Sequence, residues 1–213
     1  MQAVSDSDTK SLRDDFINKI KLRKANIGII GLGYVGLPLL WTFHEEGYPV
    51  RGFDIDSSKT ENIKAGKPYI KHLGYDMMGK LADSERCTAT IDFAELPEMD
   101  VILMCVPTPL DTHREPDMQY VEDTTRTIAQ HLRSGQLVIL ESTTYPGTTA
   151  DLIIPILEEA SGLKSGRDFF VAYSPEREDP GNPDFNTAKI PKVVRSSWEK
   201  KPCKSRKSCT IRL

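Results

Sequence analysis

The sequence predicts an α/β fold, a doubly wound parallel sheet with helices on both faces, and three observations carry that prediction. Short apolar runs alternate with segments of helical period from Asn26 onward, as in successive βαβ units. A glycine-rich turn, Gly31-Leu32-Gly33-Tyr34-Val35-Gly36, follows the first run and opens a helix. Stretches rich in Pro and Gly fall where later strands should end, at 107–109, 146–147 and 180–183.

In chain order, Leu12, Phe16 and Ile20 recur at helical spacing among Asp, Lys and Arg, so residues 1–24 read as an amphipathic helix laid against the domain as an appendage. The domain itself spans 25–194. Its expected elements are a strand at 27–30, a helix at 37–46, a strand at 50–55 and a helix from Ser57. A strand at 101–106, a helix at 119–132, a strand at 137–140, a helix at 148–160 and a strand at 169–172 complete the set. Residues 195–213 read as a basic tail, disordered or shifted out of frame. From 190 onward the basic residues are Lys192, Arg195, Lys200, Lys201, Lys204, Arg206, Lys207 and Arg212 against the acid Glu199, and the apolar pattern stops after Val194.

Composition bounds the function. A formal charge of -3 lacks the clustered positive excess of a nucleic-acid binder. Asp6, Asp8, Asp14 and Asp15 stand where a secretory leader needs a basic start and an apolar run. No stretch reaches the roughly 18 apolar residues of a membrane span, so a cytoplasmic protein with no membrane partner is expected. Cys87, Cys105, Cys203 and Cys209 show no CxxC spacing and no histidine pattern, which predicts thiols rather than disulfides and no metal site.

The chemistry-bearing signal begins at the glycine turn. Gly31 permits a tight turn, Gly33 lets backbone approach a pyrophosphate, and Gly36 lets helix and strand pack closely, while Tyr34 and Val35 lie between them at the helix N-terminus. Pro38, early in the helix, gives up an N–H that has no partner there. Asp54 closes the second strand about twenty residues on, where a carboxylate accepts from adenosine ribose hydroxyls and repels a 2′-phosphate. A Rossmann-like domain that takes NAD rather than NADP is expected. Asp56 is a weaker candidate for the ribose acid or a helix cap, and Lys59 either approaches the adenosine or is a solvated helix residue.

Three later stretches are more specific. Cys105-Val106-Pro107-Thr108-Pro109-Leu110, Glu141-Ser142-Thr143-Thr144-Tyr145-Pro146-Gly147-Thr148 and Tyr173-Ser174-Pro175-Glu176-Arg177-Glu178-Asp179-Pro180-Gly181-Asn182-Pro183, with the glycine turn, resemble the UDP-glucose/GDP-mannose dehydrogenase family. Within it they are most similar to the bacterial UDP-N-acetylglucosamine 6-dehydrogenases that feed surface polysaccharide synthesis. The resemblance implies an NAD-binding domain joined through a long helix to a sugar-nucleotide domain, a UDP-sugar substrate and a homodimer. It also implies two hydride transfers that take a C6 alcohol to a carboxylate through a cysteine-bound thiohemiacetal and thioester.

Carried onto this sequence, the resemblance places Gly31, Gly33, Gly36 and Asp54 on NAD and Thr108 in the cofactor cleft, where a hydroxyl between two prolines could also donate to a diphosphate. It places Ser142 and Thr143 near the nicotinamide and a catalytic water, and makes Glu176 the acid-base group. On the residues alone, Thr108, Ser142 and Thr143 equally suit strand-ending turns, Thr148 reads as a helix N-cap, and Glu176 could be a loop acid paired within Arg177, Glu178 and Asp179. The family's nucleophilic cysteine, lysine and asparagine do not map here. Cys203 and Cys209 lie among Lys, Arg and Ser without the surroundings of a positioned nucleophile. The expectation is a domain inactive alone, its reading frame interrupted near Val194, or else a non-catalytic NAD-binding module for regulation or assembly. A β-hydroxyacid dehydrogenase would share the glycine turn but gives no reason for the Glu-Ser-Thr and Ser-Pro-Glu-Arg stretches.

Overall fold

Strand β1, Ile27–Ile30, is buried at all its positions because it lies inside the sheet, between β2 (Val50–Phe53) and β4 (Val101–Met104). A strand covered on both faces reads as a continuous apolar run, and Ile-Gly-Ile-Ile and Val-Ile-Leu-Met are such runs. The computed structural model describes residues 6–70, 75–110, 116–175 and 195–196. Strands β3 (Cys87–Thr90), β5 (Leu137–Glu141), β6 (Phe170–Ser174) and β7 (Arg195–Ser196) complete a sheet ordered β3-β2-β1-β4-β5-β6-β7. The first six are parallel, and β7 runs antiparallel to β6. The order reverses between β1 and β4, and the crevice at such a switch point is where open α/β sheets bind ligands.

Alternation along the strands feeds two cores. Ile27, Ile29, Val101 and Leu103 face one side, where they meet α2 (Gly36–Glu45), α3 (Ser57–Lys64) and α4 (Tyr75–Ala82) through Leu37, Leu40, Ile63, Met78 and Leu81. Ile30, Ile102 and Met104 face the other, against Val121 and Ile128 of α5 (Gln119–His131) and Leu157 of α6 (Ile154–Ser161). Each buried Leu or Ile contributes about 1.5–3 kcal/mol. The expected doubly wound parallel sheet is therefore present, with helices on both faces.

The N-terminal helix α1, Asp6–Lys21, packs Phe16 and Ile20 on the first core. Its Lys19 Nζ lies 2.9 Å from Asp100 Oδ1, and Tyr48 donates its hydroxyl to the Ile20 carbonyl at 3.1 Å. Asp100, buried at the start of β4, also accepts from Arg133 and from the Asn26 N–H, each at 3.0 Å. Burial pushes this carboxyl up, but the bonds from Lys19, Asn26 and Arg133 outweigh it and hold Asp100 below its ordinary value.

Two elements were not expected and a third differs in detail. The sequence pattern gave no sign of β3 or of α4. The helix expected at 148–160 starts as a wide π turn over Thr148–Ile153 and becomes α-helical at Ile154. Pro155 is the reason: it has no N–H, and its ring crowds the carbonyl four residues back, which a widened turn relieves. Thr148 is accordingly not an N-cap; Gly147 precedes the turn at φ +100, and Thr148 donates back to the Tyr145 carbonyl at 2.8 Å.

Candidate functional site

At the carboxyl edge of the sheet, the ends of β1, β2, β4 and β5 converge on the glycine turn. Gly31 donates its N–H to the Phe53 carbonyl at 2.8 Å, and Cys105 donates to the Ile30 carbonyl at 2.8 Å, which ties the turn to both neighbouring strands. Its three glycines answer to different demands. Gly31 has φ +91, and a Cβ there would stand 2.6 Å from the Cys105 carbonyl oxygen. A Cβ on Gly36 would stand 1.8 Å from the Gly31 carbonyl oxygen. At Gly33, by contrast, a Cβ would meet nothing within 4 Å. The turn is thus closed toward the protein and open on one side, and α2 begins with no side-chain cap on its N–H groups. An open glycine beside uncapped helical N–H groups suits an anionic diphosphate.

Asp54 is buried against this turn. Its Oδ2 accepts from the Leu32 N–H at 2.7 Å and from Lys59 Nζ at 2.9 Å, and its Oδ1 accepts from the Asp56 N–H at 2.9 Å. A carboxylate has about four lone-pair positions, so one on Oδ1 stays open to a ribose hydroxyl. Lys59 is therefore the ion-pair partner of Asp54 rather than a solvated residue, and Asp56 caps α3 by accepting from the Ser58 N–H at 3.0 Å. A bond from the Ser58 hydroxyl, and then this one from its N–H, hold the Asp56 carboxyl below its ordinary value. Around the crevice, Tyr34 and Ile55 are exposed.

The turns after β4 and β5 meet across the switch point. Thr108 donates its hydroxyl to the Thr143 carbonyl at 2.9 Å and lies 3.4 Å from Ser142 Oγ. Ser142 is buried and donates to the Val106 carbonyl at 3.4 Å, while Thr143 is exposed. Thr108 thus spends its hydrogen inside the protein, which leaves its oxygen as an acceptor. Glu176 lies outside the described residues; β6 leads toward it and ends at Ser174, in register with Glu141. Sequence reasoning missed Tyr69, whose hydroxyl donates to the Leu32 carbonyl at 2.8 Å across 37 residues, a separation at which no local pattern signals a contact.

The chain matches the model of the "UDP-glucose/GDP-mannose dehydrogenase family, NAD binding domain" over residues 25–207. It belongs to that family. The match continues past Val194 into the basic stretch. The UDP-N-acetyl-D-glucosamine 6-dehydrogenase of Pseudomonas aeruginosa is 34% identical over 83% of this chain and 41% of its own length. The UDP-N-acetyl-D-mannosamine dehydrogenase of Pyrococcus horikoshii is 39% identical over 73% of this chain and 37% of its own. Among solved structures, an NDP-N-acetyl-D-galactosaminuronic acid dehydrogenase from Methanosarcina mazei Go1 superposes with a TM-score of 0.76 at 31% identity, covering 85% of this chain and 41% of that one. The chain spans about two fifths of the length of these relatives, 37% and 41% for the two curated ones. It is the NAD-binding domain of the family, and the glycine turn with Asp54 fits that cofactor. No helix among the described residues is long and apolar enough to cross a membrane, and no group of three or more His, Cys, Asp or Glu among them is placed to hold a metal ion.

Proposed function

We propose that Gly31, Gly33, Tyr34, Val35 and Gly36 cradle the NAD pyrophosphate, that Asp54 with Lys59 takes the adenosine ribose, and that Thr108, Ser142 and Thr143 border the nicotinamide half. The observation that carries this reading is the contrast within the turn: Gly31 and Gly36 are closed in by backbone oxygens at 2.6 and 1.8 Å, whereas Gly33 is open. Bound there, NAD supplies a hydride acceptor. The protein's part is to orient it: the turn offers N–H groups to the phosphates, and Asp54 keeps the ribose end clear of a 2′-phosphate.

The domain in this reading serves a cytoplasmic nucleotide-sugar dehydrogenase of surface polysaccharide synthesis that oxidises the C6 alcohol of UDP-N-acetylglucosamine to a carboxylate. Support comes from the Pro-Thr-Pro, Glu-Ser-Thr-Thr and Ser-Pro-Glu-Arg stretches and from the glucosamine-specific name of one relative. Glu176 is the acid-base group of this proposal. In this reading the groups that hold the sugar and form a thioester lie outside the described residues. Titration calorimetry with NAD and NADP, followed by NADH fluorescence in the presence of UDP-N-acetylglucosamine, UDP-N-acetylmannosamine, UDP-glucose and GDP-mannose, tests it. NAD binding in preference to NADP is the expected result, with NADH formed from UDP-N-acetylglucosamine ahead of the other three sugars. Failure to bind NAD overturns the cofactor assignment, and NADH formed from another sugar overturns the substrate assignment.

A further inference from the structure

We infer that Tyr69 is a positioning residue for the cofactor, its hydroxyl setting the direction in which the glycine turn presents the Gly33 N–H; this rests on the NAD reading above. Leu32, between Gly31 and Gly33 of the turn, is gripped at both polar backbone atoms by side chains. Its N–H donates to Asp54 Oδ2 at 2.7 Å, and its carbonyl accepts from the Tyr69 hydroxyl at 2.8 Å. The Leu32 side chain is itself fully buried, lodged so closely against Gly52 that a Cβ there would meet Leu32 Cδ2 at 2.7 Å.

The carbonyl of Leu32 and the N–H of Gly33 belong to one planar trans peptide and point in opposite directions. Whatever fixes the carbonyl therefore fixes the N–H. Gly33 is the open glycine of the turn, so this N–H belongs to the peptide closest to the side left clear for a diphosphate. Tyr69 can serve as a fixed donor because its ring packs against the first core and its neighbour Ile70 is buried. Burial, with the Asp54 and Asp56 carboxylates nearby, pushes the phenol up from its ordinary value and keeps it protonated.

Tyr69→Phe removes the hydroxyl and keeps the ring. Titration calorimetry of the 213-residue chain with NAD, ADP-ribose and adenosine reads the effect. The variant is expected to bind NAD and ADP-ribose about tenfold more weakly, about 1.4 kcal/mol and within the range of one hydrogen bond, with adenosine, which lacks a phosphate, changed less than twofold. Equal NAD affinity in variant and wild type overturns the inference. So does an equal proportional loss for adenosine, which marks a general loosening of the domain. A wild-type chain that does not bind NAD sinks the cofactor assignment itself, a result distinct from either. Should Tyr69→Phe fail to fold, 3-fluorotyrosine at position 69 alone, a stronger donor, is expected to tighten NAD, and unchanged affinity overturns the inference.

Discussion

Gly33 and Gly36 should respond to the same alanine substitution in opposite ways. At Gly36 the new methyl group stands 1.8 Å from the Gly31 carbonyl oxygen. That is about 1.6 Å short of ordinary contact, and the obstructing atom is backbone, so the turn or the first residues of α2 must move. Gly31 is itself held by the Phe53 carbonyl, which leaves little room for relief. Overpacking of this kind costs about 2 kcal/mol or more, a fall in Tm of about 4–8 °C for a domain of this size. At Gly33 the methyl meets nothing within 4 Å, and the φ of this residue is not positive. Gly33→Ala should leave Tm unchanged or raise it by about 1–2 °C through the unfolded chain, yet weaken NAD by about a hundredfold by filling the open side of the turn. Thermal unfolding by circular dichroism and titration calorimetry measure the two quantities separately. The reasoning is refuted if Gly36→Ala melts like the wild type, or if Gly33→Ala retains full NAD affinity.

Other predictions follow from the opposite edge and the flanks. Arg133→Ala removes a cation from buried Asp100 together with bonds to the Pro97 and Met99 carbonyls, and should lower stability by about 2 kcal/mol in urea unfolding; a loss under about 0.5 kcal/mol contradicts the assignment. His44, buried on α2 with its Nε2 2.7 Å from Ser84 Oγ, has its pKa lowered from 6.5 first by burial and then by Arg86, against the opposing pull of Glu45. A folded-state value below the unfolded one means that the unfolded chain takes up the proton first. Stability should fall as pH drops below 6.5 and level off beneath the folded value, and His44→Gln should flatten that slope in denaturant curves taken across the window. Cys87 has its thiol pushed up to about 12 by burial, so alkylation at neutral pH should be much slower than for an exposed thiol, as mass spectrometry of timed iodoacetamide reactions would show.

The central strands β1, β4, β5 and β6 were legible because burial on both faces writes them as nearly unbroken apolar runs, while β2, Val-Arg-Gly-Phe, carries the half-buried Arg51 and was legible from its place between the glycine-turn helix and Asp54. Strand β3 was not, since at the sheet edge only Ala89 of Cys-Thr-Ala-Thr is buried and no run forms. Helix α4 is eight residues long and carries Gly79, too short a window for its period to stand out. In the site, glycines and the acid were legible because their spacing is fixed by one local βαβ unit. Lys59 stayed ambiguous because a helix residue five positions from an acid can face it or face solvent, and only the fold decides between them. Tyr69 was invisible for the opposite reason: its contact is set by how a later segment packs against Leu32.

The clasp between α1 and Asp100 bears on how this domain should be prepared. The family match begins at residue 25, so a chain cut to that boundary would start inside a working joint. Asp100 would lose Lys19, Tyr48 would lose its acceptor at Ile20, and the first core would shed the cover of Phe16 and Ile20. The glycine turn would survive intact at the far edge, and such a preparation could bind cofactor while melting early. A low Tm in a shortened domain would then report a missing helix rather than a weak fold.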